Sequence, residues 1–444
     1  MSASPFDSLI HTRLFGDAEI ARLFSDTAEI RAMMLVLGAL AKVQGQAGVI
    51  PETSGAFLHR ATMEIQIDPG GLAQSVGENG VSVPGLVTAM RKALEAPEHA
   101  AYLHWGATSQ DIQDSALMLR ARQALALIAG RLKAAILTLA DLAEAEAETP
   151  MAARTYGQVA VPSSFGALVA VWGWPVIAAL ERLAALSPKL AVSLSGAGGT
   201  GTMLGPDPGM IRAALAKALG LADPGRSWHA ERGLITEIAQ CCQAVTAAAA
   251  KPGEDLLILT RSDVGELRLS GGGASSTMPQ KENPVAPSVL VALARFGAAQ
   301  AGALQTPAHR EARDGAAWFT EWLMLPGLVM AAGKSAAVLA ETIGQITPDK
   351  PAMAARLADP LGLIHAEALS FALAGIMPRP DAQAEVKRLA LAAKASATPL
   401  PDLVIAAHPK LAMPPLSGRA TLGTAPDEAR AFAKAARAIA DGQG

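Results

Sequence analysis

The longest regular pattern in the chain lies between Ser115 and Glu148. No proline interrupts it, and Leu125, Ile128, Leu132, Ile136, Leu139 and Leu142 recur at intervals of three and four. That period lines them up on one stripe of a single long amphipathic helix, which Pro150 ends. The same reading predicts a second long helix after Pro162 and a third from about Ala230 to Leu267, interrupted at Pro252-Gly253. A fourth follows Pro287, and a fifth runs from near Trp318 to about Ile346. Glycine-rich or polar stretches join them, among them SLSGAGGTGTMLG from Ser193 to Gly205. Five long helices linked in this way describe a helix bundle. The residues before it read as shorter helices, one of which starts at Asp26-Thr27-Ala28-Glu29 and stops at Gly48 and Pro51. After about Pro351, short helices alternate with proline-rich turns. No run shows strand alternation bounded by hairpin turns. The expected fold is therefore all-α in three parts: an N-terminal helical domain over 1–112, a central bundle over 113–350 and a C-terminal helical domain over 351–444. The apolar faces are broader than one chain covers, which points to bundles that associate.

Composition sharpens this picture. Hydrophobic residues make up 51 % of the 444 positions but aromatic ones only 4 %, so alanine and leucine carry the apolar content and favour close helix packing. The net charge of −3 leaves no basic excess for nucleic acid. Thr155 to Leu180 is free of charge, yet its clean apolar part, FGALVAVWGWPVIAAL, is about sixteen residues, short for a bilayer. A helix buried all round gives the same signature, so no membrane span is expected. The opening MSASPFDSLIHTRLFGD lacks a basic n-region and an apolar h-region, so no secretory leader is expected and the cytoplasm is the expected location. Cys241 and Cys242 are neighbours in a helical pattern, which suits reduced core thiols rather than a disulfide. His309 and His365 are not spaced as a metal site, and Gly196 to Gly205 lacks the strand–loop–helix setting of a dinucleotide fingerprint. No metal and no cofactor are expected.

Three segments carry candidate chemistry. GGGASSTMPQKENP, Gly271 to Pro284, combines glycines with two serines, a lysine and an asparagine. A serine hydroxyl becomes a base only where dipoles and a cation stabilise its alkoxide, and the glycine-rich backbone and Lys281 can supply both. The alternative is a flexible linker with an incidental lysine. LHWGATSQD, Leu103 to Asp111, offers His104, Thr108, Ser109 and Gln110 just before the first long helix. Hydroxyls and free N–H groups there suit a carboxylate, or they are ordinary helix capping. ARTYGQVAVPSSFG, Ala153 to Gly166, places Arg154, Thr155, Tyr156 and Gln158 between the first two long helices, where a buried loop–helix junction explains them nearly as well.

Together and in this order, the three segments resemble those of the fumarase/aspartase superfamily of lyases. Its signature loop reads Gly-Ser-x-x-Met-x-x-Lys-x-Asn; here it is Ala274, Ser275, Met278, Lys281 and Asn283, with alanine in place of the first glycine. The resemblance implies an all-α, three-domain fold around a long five-helix bundle, and homotetramers in which each active site gathers loops from three subunits. It implies that Ser275 moves a proton next to a carboxylate and that Lys281 and Asn283 stabilise the carbanion. A histidine usually follows the Arg-Thr of the second motif in this superfamily; here Tyr156 stands there. A departing amine must be protonated, whereas a carboxylate, with a parent pKa of roughly 4, leaves unaided. The chain is accordingly similar to the branch that closes a lactone from 3-carboxymuconate. GATSQD after Trp105, REARDGAAWFTEW from Arg310, GLIHAEAL from Gly362 and LGTAP from Leu422 add to that similarity, while Glu282 departs from it. Thr108, Ser109, Gln158 and Arg313 are then candidate carboxylate ligands. Tyr156, Ser276 and His104 join them around the substrate, and Arg154 shapes its loop. Arg313 has an alternative as the salt-bridge partner of Asp314 or Glu311, and His104 as a ring packed beside Trp105. The implied partner is a small polycarboxylate. Adenylosuccinate lyase-like elimination and a non-catalytic structural role on the same fold are the rival readings.

Overall fold

The computed structural model describes residues 4–271, 273–274, 278, 281–306 and 308–441. The five expected long helices are Ser109–Ala145, Phe165–Leu186, Gly233–Leu259, Val285–Ala303 and Gly315–Ile343. By contact the residues fall into two compact units. Met1–Leu132, Ala178–Ala250 and Val289–Val338 make one; Lys133–Ile177, Lys251–Ser288 and Leu339–Gly444 make the other. The boundaries fall inside the five long helices.

In the first unit the helix Asp26–Gln46 begins where the sequence places it. The Ser25 hydroxyl caps it by accepting from the Ala28 N–H at 3.3 Å. Its Met33, Met34, Leu37 and Leu40 are buried in a core shared with Leu58, Leu86, Met90 and Ile112. Small residues let the long helices approach. A Cβ on Gly297 would stand 2.8 Å from the Thr246 hydroxyl and 3.5 Å from Leu328, so Val285–Ala303 lies directly against Gly233–Leu259 and Gly315–Ile343.

Two helices depart from expectation at a proline. The helix Gly233–Leu259 continues through Pro252 instead of breaking there. Proline removes one backbone bond and crowds the preceding turn, but packing along the helix outweighs that local cost. Val285–Ala303 starts before Pro287, which occupies the first turn, where no N–H partner is needed. Gly315–Ile343 runs through Pro326, as the expected uninterrupted fifth helix does.

The second unit corrects the expectation of no hairpin. Pro150–Thr155 and Gln158–Ser164 pair antiparallel, from Pro150↔Ser164 to Thr155↔Gln158, with a register shift between Ala153 and Arg154. The turn is Tyr156-Gly157, both with positive φ (52° and 73°), the left-handed pair that matches strand twist in a two-residue hairpin. Alanines, an arginine and Pro162 hide these strands from a propensity reading. Two shorter ladders, Leu267–Leu269 with Ile346–Pro348 and Gly273–Ala274 with Glu282–Asn283, complete the strands described. The C-terminal helices Ala366–Leu373, Arg379–Ser396 and Leu400–Ala407 close on their own core of Leu369, Leu373, Val386, Leu389, Leu400 and Val404. The fold is nonetheless built of helices.

Three helices are long and apolar enough, by length and composition alone, to cross a membrane: Phe165–Lys189, Val285–Ala303 and Gly315–Ile343. In the first, Trp172 is fully buried and its indole N–H donates to Asp255 at 2.7 Å, a polar tie to the helix Gly233–Leu259. Val171, Trp174, Ile258, Phe319 and Leu323 remain exposed on the long helices.

Candidate active site

The first unit assembles the start of the helix Ser109–Ala145. The chain reaches it through His104 and Gly106, both left-handed (φ 66° and 70°). A Cβ on Gly106 would lie 2.2 Å from the Met203 carbonyl oxygen, so glycine is required where this turn meets the glycine-rich link. Thr108 and Ser109 are buried, and Gln110 and Asp111 are fully so. Asp111 reaches back to the Thr108 N–H at 2.9 Å, the reciprocal half of a capping box. It also accepts from the Ser195 N–H (2.8 Å), the Gly196 N–H (2.9 Å) and His229 Nε2 (2.7 Å). Two contacts on each oxygen use up the capacity of the carboxylate. Helix capping and the close approach of the glycine-rich link are thus one construction.

Gln110 extends this construction. Its Nε2 donates to the His229 carbonyl at 2.8 Å, and its Oε1 accepts from the Arg313 N–H at 3.2 Å. Arg313 is exposed, with φ 61°. The pairing with Asp314 weighed for it belongs to Arg310, which binds that carboxylate through two contacts of 2.8 and 2.9 Å. Among the described residues the Arg313 guanidinium has no ion pair. The His104 ring is largely enclosed, and its Nε2 has no hydrogen-bond partner among the described residues. Burial pushes its pKa below 6.5, against the raising influence of the Thr108 backbone and Asp111. The Trp105 ring packs against Tyr102 at a tilt of 46°, centroids 5.6 Å apart.

Ser227 to Arg232, which the sequence expectations do not single out, anchors the same unit. Trp228 donates to the Val192 carbonyl at 2.8 Å. The fully buried Arg232 binds both Asp114 oxygens (2.7 and 3.0 Å) and both Glu321 oxygens (2.9 and 2.6 Å), and lies 4.8 Å from the Trp228 ring centroid. Burial works against its charge, but Asp114 and Glu321 outweigh burial and hold the guanidinium protonated. His309 Nε2 sits 3.0 Å from Glu321, and its N–H donates to the Ala230 carbonyl at 2.7 Å. A run of Trp, His and Arg just before a long helix in an alanine-rich chain is the signal that marks this segment.

The second unit holds the other candidates. Arg154 pairs with the fully buried Glu266 at 2.6 Å, which fixes the hairpin and fits a loop-shaping role. At the hairpin tip Tyr156 stands fully in solvent and Gln158 is exposed, rather than in a buried loop–helix junction. Lys281 is exposed, its N–H donating to the Met278 carbonyl at 3.0 Å, and Asn283 is half-buried opposite Gly273. Among the described residues no hydrogen bond or ion pair joins the tip to Lys281 or Asn283. Ser275 and Ser276 lie outside the described residues. A cavity of about 1330 Å³ is lined by the hairpin, including Gly157 of its turn, by Lys251 and Asp255 and by C-terminal residues, but not by Tyr156, Gln158, Lys281 or Asn283. Among the described residues no cluster of three or more His, Cys, Asp or Glu side chains could hold a metal ion.

A family model described as Lyase matches residues 23–296. The 3-carboxy-cis,cis-muconate cycloisomerase of Pseudomonas aeruginosa is 36% identical, covering 84% of this chain and 83% of that protein. The nitrosuccinate lyase of Streptomyces davaonensis is 33% identical, covering 91% and 88%. The crystal structure of 3-carboxy-cis,cis-muconate lactonizing enzyme from Pseudomonas putida matches with a TM-score of 0.88 at 28% identity, over 97% of this chain and 99% of that one. With likeness in sequence and backbone running through most of its length, the chain belongs to the lyase family of the fumarase/aspartase superfamily.

Proposed function

We propose that the protein is a 3-carboxy-cis,cis-muconate cycloisomerase, closing this triacid to 4-carboxymuconolactone in the breakdown of aromatic acids. The likeness to proteins of that name, in sequence and in backbone, carries the reading. In the reaction a carboxylate of the substrate adds across a double bond, and negative charge builds on the carbon beside another carboxylate. The Ser109 N–H and the hydroxyls of Thr108 and Ser109 at the helix start hold one carboxylate, with Gln158 and Arg313 for the others. Lys281 and Asn283 stabilise the developing enolate, and Ser275 delivers the proton. The attacking group is already an anion, so no imidazole is needed to move a proton from it, and Tyr156 in the histidine position is consistent with that. The reaction as written draws on side chains and backbone alone.

We further infer a cytoplasmic homotetramer in which each site is completed by three subunits, with no nucleic acid or membrane partner. Exposed apolar side chains on the long helices support association, as does the solvent exposure of Tyr156, Gln158 and Lys281 within one chain. Two buried, unpaired thiols fit a reducing compartment.

The test follows loss of the triacid's ultraviolet absorbance on adding purified protein, with adenylosuccinate and nitrosuccinate in parallel. Turnover of the triacid alone is expected. The relative named nitrosuccinate lyase favours a second reading, elimination from a substituted succinate, and turnover confined to nitrosuccinate would establish it instead. Ser275→Ala should lower kcat by about 10²–10⁴-fold with an unchanged melting temperature. Unchanged turnover removes Ser275 from the chemistry.

A further inference from the structure

We propose that His229 is a positioning residue of the active site, setting the helix start at Thr108-Ser109 through its ring and the backbone of Arg313 through its carbonyl. The inference rests on the function proposed above, which makes those groups carboxylate ligands.

His229 is 2 % exposed, so its ring is closed to substrate. Its Nε2 stands 2.7 Å from Asp111, whose ionised carboxylate only accepts, so Nε2 carries the hydrogen. The other ring nitrogen, Nδ1, is buried and has no hydrogen-bond partner among the described residues. What the ring secures is Asp111, the only side chain that holds the Thr108 N–H and the Ser195 and Gly196 N–H groups at once among the described residues. Backbone N–H groups reach both Asp111 oxygens, one on Oδ1 and two on Oδ2; the rigid ring adds the second donor on Oδ1, which fixes the carboxylate plane and with it the first turn of the helix. On the carbonyl side, Gln110 spans 2.8 Å to His229 and 3.2 Å to the Arg313 N–H, beside a left-handed backbone that needs support. One residue therefore links two of the groups assigned to substrate carboxylates, and neither link passes through the reacting carbon.

Two variants of the full-length enzyme separate positioning from other roles. His229→Gln presents an amide N–H along the direction of Nε2; His229→Leu keeps bulk without a donor. We expect the leucine variant to raise KM for 3-carboxymuconate by about 10–100-fold while kcat stays within about threefold, and the glutamine variant to recover most of the loss. Wild-type KM in the leucine variant, equal impairment of both variants, or a fall in kcat at constant KM overturns the proposal. Should His229→Leu fail to fold, Asp111→Asn takes its place, and a KM no higher than that of His229→Gln has the same force. If the wild-type protein leaves the triacid untouched, the function above fails. The positioning role is then read from calorimetric affinity for tricarballylate, a saturated tricarboxylate. Binding about tenfold weaker in the variant without the donor sustains it, and equal binding refutes it.

Discussion

His104 shows how a single residue can be legible in sequence and still need the structure to give it meaning. Its neighbours Thr108 and Ser109 suggest anion binding, but its left-handed backbone and enclosed ring are visible only in three dimensions. Burial holds its pKa below 6.5, so the folded protein resists a proton that the unfolded chain takes up. Its contribution to stability is therefore complete above about pH 6.5 and drains away as the pH falls from there toward the lower folded value. Thermal melts from about pH 7 to about pH 5 should show a smaller drop in melting temperature for His104→Gln than for the wild-type protein. Equal drops would mean that other groups carry the acid sensitivity. Arg313 makes the complementary point. Spacing alone offered it Asp314, yet Arg310 holds that carboxylate, and only side-chain directions decide between two arginines three positions apart.

At the scale of elements, helices were read well and strands were not. Leu125 to Leu142 advertise their helix through a period that any neighbouring residues can reveal. The hairpin Pro150–Ser164 depends on pairing, and neither of its strands has strong propensity of its own. Pro252 misled for a related reason, because packing around the helix overrides a local penalty. The largest contribution to the first unit that sequence reading missed is Arg232, which ties Asp114 on one long helix to Glu321 on another at the entrance to a third. Arg232→Leu would leave two carboxylates buried without a counter-charge, and we expect a loss of about 3–5 kcal/mol in urea unfolding. A shift under about 1 kcal/mol would show that the carboxylates relax into solvent or take up protons at little cost.

For the whole molecule, the breadth of the apolar faces is the main guide. Leu323 is 72 % exposed and Val171 52 %, both on helices that are strongly apolar along their length. Side chains of this kind mark surfaces that another chain covers. Light scattering should give four times the chain mass of 45.4 kDa, and activity per chain should fall on dilution into smaller species. A monomer with full activity would contradict sites shared between subunits.

By itself the sequence determined the helical class, the positions of the long helices and, through three short motifs, the resemblance to lyases. Each of these is written in residues close together along the chain, where period and spacing are sufficient. Only the tertiary structure decided that Asp111 is the junction of the first unit, that His229 stands behind it and that Arg232 holds two carboxylates. Three of the four partners of Asp111 lie 84, 85 and 118 positions away, and Arg232 reaches across 118 and 89. A polar side chain acquires its role from what folding places around it, and over such separations the linear order of residues carries no distance.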